Sequence, residues 1–195
     1  MEKTGNLLFK YRSYTPIPFL ILMLLFMKPV LISIIAGLLI SLCGEIIRIW
    51  AVGYAGSETR TTAEPGGSNL VTQGPYGIIR NPLYAGNILI YTGAGIMSFA
   101  LFPYLQIAGL LYFIFQYYCI IVSEEVYLNK SFRSYEIYKK YVNRFFPSFK
   151  KIPDDIKSKL EFDIKAGLKS EKRSLQALFL VSLIIIIYFV YSITK

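Results

Sequence analysis

An all-α, polytopic membrane protein is the fold class this sequence predicts, and three observations predict it. Of the 195 residues 54% are hydrophobic and only 17% charged, more apolar sequence than a soluble domain of this size needs. The apolar residues are gathered into runs long enough to cross a bilayer. The basic residues fall almost entirely on one side of those runs.

Taken in order, the first run is Ile17–Met27, short for a span and extended by Tyr14–Pro16 and the stem of Lys28. Its flanks resemble a signal peptide, but no small-x-small cleavage site follows, so it reads as a retained span. Lys28-Pro29 makes a tight turn into Val30–Ala55, which carries Glu45 and Arg48 towards its end. A polar loop, Gly56–Ile79, contains the breaker cluster Pro65-Gly66-Gly67-Ser68. Asn81-Pro82 then reads as a helix N-cap with proline at the first helical position. Leu83–Phe102 and Pro103–Val122 are each about 30 Å of helix and form a hairpin turned at Phe102-Pro103. Beyond them, Leu128, Phe132, Tyr135 and Val142 share one face of an amphipathic stretch that ends at Phe145-Phe146-Pro147. A second amphipathic helix is expected over Asp154–Ala166, where Ile156, Leu160 and Ile164 recur at i+4, and both are expected at the membrane interface. Leu175–Ile193 is a further span without charge, giving about five spans in one domain.

Loop charge orients the chain. With the N-terminus on the cytoplasmic side, the inner face holds Lys3, Lys10, Arg12, Arg60, Arg80 and all thirteen Lys/Arg from Lys130 to Arg173. The outer face holds only Lys28 and Lys195, a clear positive-inside pattern. The formal charge of +9 therefore reads as topology and attraction to anionic membrane lipids, not as nucleic-acid binding, for which no reading module is present. Cys43 and Cys119 both fall in spans and suggest neither a disulfide framework nor a metal site. The chain has no histidine, which excludes imidazole bases, His-containing triads and His-based metal centres.

The hairpin makes the candidate site. Its antiparallel arms return Glu124-Glu125 to the depth of Asn81-Pro82. A helix start offers unpaired N–H groups and a positive dipole end, suited to an anion. The two carboxylates at the end of the returning helix call for a cation: Arg80, a nearby lysine or a ligand's ammonium. A ligand with both a carboxylate and an amine, such as S-adenosylmethionine, answers both ends, and Tyr76, Tyr84 or Leu70 could pack on its adenine. The alternative is a plain helix start and a solvated acidic face. Within the second run, Arg48 sits three residues after Glu45, so the two can pair across a helical turn; an intramembrane ion is also a functional candidate by default.

The pattern Leu70-Val71, Gly74, Tyr76, Arg80, Pro82, Tyr84 and Gly86, then Glu124-Glu125, Leu128, Phe132, Tyr135, Tyr138 and Phe146-Pro147, resembles the isoprenylcysteine carboxyl methyltransferase family and its phospholipid N-methyltransferase relatives. The resemblance covers roughly residues 48–147 and leaves 148–195 as a C-terminal segment with an extra span. It implies an integral membrane enzyme that binds S-adenosylmethionine at the cytosolic helix ends and takes a lipophilic or prenylated acceptor from the bilayer. Carried over by position, the cofactor-binding residues would be Asn69, Leu70, Val71, Tyr76, Asn81, Pro82, Leu83, Tyr84 and Glu124. Arg48, Arg80 and Glu125 are the candidate catalytic residues. Gly93-Ala94-Gly95 resembles the Gly-x-Gly element of the phospholipid branch, with small-residue helix packing as the alternative.

Three positions depart from the family pattern. Asn81 stands where the family usually has histidine, Arg133 where it has glycine, and Ile120 where the isoprenylcysteine enzymes carry a basic residue for the substrate carboxylate. The acceptor is accordingly expected to be a carboxylate or, as the alternative, the amine of a phospholipid. A nicotinamide-dependent membrane reductase is a more distant alternative, since the loop offers only Arg60 for a 2′-phosphate. A non-catalytic lipid-binding protein is a further one.

Overall fold

The computed structural model describes residues 2–56 and 70–195, and within them the chain is helical with no strand. Seven α-helices run in order: α1 (Glu2–Tyr11), α2 (Ile17–Phe26), α3 (Leu31–Ala55), α4 (Pro82–Ser98), α5 (Tyr104–Ser131), α6 (Tyr135–Tyr141) and α7 (Ile164–Thr194). Arg60, the Pro65–Ser68 cluster and Asn69 lie outside the described residues.

Three of these helices, α3, α5 and α7, are long and apolar enough to cross a membrane. The expected count of about five included Leu83–Phe102 and Ile17–Met27. The first of these helices stops at Ser98 because Phe99 and Leu101 turn into the left-handed region, at φ 51° and 46°. That leaves α4 with 17 residues, about 26 Å of helix, and α2 with 10. Residues 14–16 do not extend α2, which begins only after Pro16.

Helix α4 lies against α3 along a seam of small residues. A Cβ on Gly37 would strike the Gly93 carbonyl, and one on Gly44 the Gly86 carbonyl, so the two backbones touch as only glycine permits. Gly93 is thus a packing residue. Helix α7 packs along α3 and also meets α4. Asp163 caps α7 by accepting from Lys165 N (2.8 Å) and Ala166 N (3.1 Å), and its own N–H donates to the Gly53 carbonyl at 2.9 Å. Helix α1 lies on α5, where the Ser123 hydroxyl donates to Asn6 and Phe9 joins Phe113, Tyr117 and Ile120 in a buried cluster.

Two expected amphipathic helices take other forms. Leu128 and Phe132 do share a buried face with Tyr135 and Val142, but α5 runs to Ser131 and α6 starts anew at Tyr135; the face packs on Leu70 and Ile152, inside the protein. Residues 154–163 are not part of an α-helix, and only Ile164–Ala166 of the expected stretch are helical, as the first turn of α7. A 3-10 turn at Asp154–Ile156 gives way to extended chain whose backbone is bonded by side chains of the loop before α4. Ser158 N donates to Thr72 Oγ1 (2.8 Å) and Leu160 N to Gln73 Oε1 (3.0 Å), a local alternative that outcompetes the helix ladder until Asp163 caps α7.

Candidate functional site

The segment before α4 is fixed before it can present anything. A 3-10 turn at Gly74–Gly77 carries Tyr76, whose carbonyl accepts from Tyr138 Oη at 2.5 Å. Arg80 N donates to the Asn143 carbonyl and Ser148 N to the Ile78 carbonyl, both at 2.8 Å. These bonds latch the loop to the chain after α6. Burial pushes the hydroxyls of Tyr76 and Tyr138 above the ordinary tyrosine range, so both stay neutral donors.

Asn81 and Pro82 open α4 as expected, at N-cap and first-turn positions. No side chain caps the helix; the Asn81 amide instead donates to the Arg144 carbonyl at 3.3 Å. The first N–H groups of α4 therefore have no side-chain cap.

Glu124 and Glu125 lie within α5, not at its end, because that helix continues to Ser131. The unfavourable dipole expected for them does not decide their surroundings; their neighbours do. Glu125 is buried and held by two arginines: Arg144 donates through Nε (3.0 Å) and Nη2 (2.5 Å), and Arg80 Nη2 lies 3.1 Å from Oε1. The Glu125 hydrogen bonds raise the Arg144 pKa above its ordinary value. Glu124 turns the other way and accepts from Tyr84 Oη at 2.6 Å.

A cavity of about 800 Å³ runs between the helices. Of the residues picked out from the sequence, Tyr76, Arg80, Asn81, Pro82, Leu83, Tyr84, Glu124 and Arg48 line it. Leu70 instead packs with Tyr135 and Tyr138, and Val71 and Glu125 are not on the wall. Two nitrogens of the buried Arg80 guanidinium, Nε and Nη1, have no hydrogen-bond partner. Tyr84 stacks on Tyr117 with ring centroids 4.9 Å apart, so an aromatic face borders Glu124.

The Arg48 guanidinium turns to α7 and α4. Its Nε and Nη2 donate to Glu171 Oε2 on α7 at 3.1 and 2.6 Å, and its Nη1 donates to Asn87 on α4. Glu45 accepts from Ser174 of α7. The cavity wall also contains Asn87, Tyr91, Tyr117 and Glu171, which sequence reasoning did not select. Tyr84, Asn87 and Tyr91 repeat at helical spacing along an otherwise apolar helix, a signal that could have found them. Glu171 had none, since its partner is 123 positions away. Among the described residues no group of three or more His, Cys, Asp or Glu could hold a metal ion.

Residues 32–135, more than half of the chain and including α3, α4, α5 and both site motifs, match the phospholipid methyltransferase family model. The chain belongs to the phospholipid methyltransferase family. Among curated relatives of this family member, the cobalt-zinc-cadmium resistance protein CzcN of Cupriavidus metallidurans is 30% identical over 120 residues, 62% of this chain and 50% of that protein. The nickel-cobalt-cadmium resistance protein NccN of Alcaligenes xylosoxydans xylosoxydans is 32% identical over 102 residues, 51% of this chain and 43% of that protein. The chain thus spans about half the length of the curated relatives it matches. No solved structure matches it.

Proposed function

We propose that this family member is an S-adenosylmethionine-dependent membrane methyltransferase acting on a lipophilic acceptor. One observation carries the reading: the buried Arg80, with two unpartnered donors, and the carboxylate of Glu124 line the same cavity beside the uncapped start of α4. Opposite charges held in one site fit a zwitterion. Arg80 and the first N–H groups of α4 would hold the cofactor's carboxylate; Glu124, positioned by Tyr84, would face its ammonium; the rings of Tyr84 and Tyr117 suit a sulfonium or an adenine. When bound, the cofactor supplies an electrophilic methyl group. The chain contributes alignment and a water-poor wall.

The sequence pointed first to a carboxylate acceptor. The amine of a phospholipid is favoured by Arg48, whose three guanidinium nitrogens are already committed to Glu171 and Asn87. Ile120, where a basic residue would meet a substrate carboxylate, is fully buried away from the cavity. An amine must shed a proton before it attacks, and without histidine the carboxylates on the cavity wall, Glu124 and Glu171, are the groups able to take it. The positive-inside pattern of the sequence supports a cytoplasmic N-terminus and a site on that same face. The names of the two relatives speak of metal resistance, while among the described residues no cluster of His, Cys, Asp or Glu could hold a metal ion.

Calorimetric titration of the detergent-purified protein tests the reading. Binding of S-adenosylmethionine that is lost in Glu124→Ala supports it; no binding, or preference for NADPH, overturns it.

A further inference from the structure

The cavity continues well past the polar site. Along α4 its wall passes from Tyr84 to Ile90 and Ala94, which lies twelve positions beyond Pro82, about 18 Å deeper. There it meets Leu20 and Met23 of α2 and Leu178 and Val181 of α7. No charged or amide side chain belongs to that part of the wall. Its far end abuts the core: Met23, Ala94 and Val181 also pack into the buried cluster of Ile34, Met97, Leu105 and Ile185.

One face of α7 builds both parts. Asp163, Gly167, Glu171 and Ser174 recur at spacings of three and four, and each meets α3: Asp163 bonds the Gly53 backbone, Gly167 abuts Ile49, Glu171 holds Arg48 and Ser174 donates to Glu45. The same stripe continues as Leu178, Val181 and Ile185. Phe179, Leu180 and Ile184 point outward and are exposed. Polar pairs therefore lock the upper half of α7, and its lower half is placed as a wall. None of α7 falls in residues 32–135.

We infer that the deep half of the cavity is a slot for one aliphatic chain of the acceptor, and that α7 with Ala94 sets the chain length it admits. The inference rests on the reading that the acceptor is lipophilic. An aliphatic chain is the occupant because Leu20, Met23, Ile90, Ala94, Leu178 and Val181 present only apolar surface, while the groups that could meet a head group, Arg48, Glu171 and Asn87, sit above them.

The test uses the full chain in lipid nanodiscs, with fatty alcohols of graded length bearing a terminal diazirine, and maps the crosslinks by peptide mass spectrometry. Crosslinks at Leu20, Met23, Leu178 and Val181, competed away by the same alcohol without diazirine, are expected. Ala94→Phe should lower long-chain labelling about tenfold, the loss when roughly two methylenes are shut out, and leave short chains unaffected. Val181→Ala, which only removes volume and guards against misfolding of the first variant, should move the preference to longer chains. Labelling confined to Phe179, Leu180 and Ile184 overturns the inference, as do crosslinks that no alcohol displaces, the mark of a resident lipid. So does a length profile that neither variant moves. Calorimetry with S-adenosylmethionine on the same samples separates the two readings: internal labelling without cofactor binding keeps the slot and rejects the methyltransferase, and the reverse result does the opposite.

Discussion

The Tyr84 hydroxyl on α4 donates to Glu124 Oε1 on α5 at 2.6 Å, which ties the first turn of one helix to the carboxylate of the other at the cavity wall. A bond to a charged group of this kind contributes about 1.5–3 kcal/mol. Tyr84→Phe keeps the ring that stacks on Tyr117 and removes only the donor. We expect S-adenosylmethionine affinity to fall about tenfold or more, together with a drop in the thermal midpoint that reflects the lost bond, by calorimetry and scanning fluorimetry side by side.

The neighbouring carboxylate should behave in the opposite way. Glu125 is off the cavity wall and clamped by Arg80 and Arg144, so its work is to hold the loop and the segment after α6 together. Removing one member of a buried pair typically costs about 3–5 kcal/mol, because the remaining charges lose their compensation. Glu125→Ala should therefore lower the unfolding midpoint in detergent far more than Glu124→Ala does. Equal stability of the two variants would reject this division of labour.

The α3–α4 seam sets a packing prediction. A side chain on Gly44 meets the Gly86 carbonyl and the side chains of Leu89 and Ile90, none of which can retreat without parting the helices. Gly44→Val should destabilise by about 1–3 kcal/mol or more, as overpacking does. Gly95→Ala is the control: its nearest neighbour would be the Gln106 side chain at 3.7 Å, ordinary contact. Midpoints of the two variants in the same detergent decide it.

Much of this was legible in the sequence because its signals are local. Asn81-Pro82 starts a helix by its own chemistry, and the three long apolar helices announce themselves by length. Eight of the twelve site residues picked from the sequence line one cavity. What escaped depends on distant partners. Leu70 is drawn off the wall by Tyr135 and Tyr138, and Glu125 by Arg144; residues 154–163 yield their helical pattern to the side chains of Thr72 and Gln73. Arg48 had a plausible partner one turn away in Glu45, yet its geometry is set by Glu171, brought in by a helix from the far end of the chain. Periodicity reports the face a residue occupies; it carries no information about which helix will arrive opposite.

That long-range pair supports a last prediction. Arg48 and Glu171 are both largely buried, at 16% and 1% side-chain exposure, and Arg48 also reaches Asn87, so three helices meet at one guanidinium. Glu171→Ala removes the carboxylate that holds the buried Arg48 charge, at a cost of about 3–5 kcal/mol, and Arg48→Ala removes the same pair from the other side. Substituting an uncharged pair of similar shape, Arg48→Met with Glu171→Gln, removes both charges at once and should recover much of that loss, giving a clearly non-additive cycle. If the pair only braces α7, the double variant should also bind the lipid probes as the parent does. If it seats the acceptor's head group, stability returns but the apparent affinity for the acceptor stays impaired while S-adenosylmethionine affinity is unchanged. We expect the second pattern, because both side chains line the cavity as well as bridging the helices.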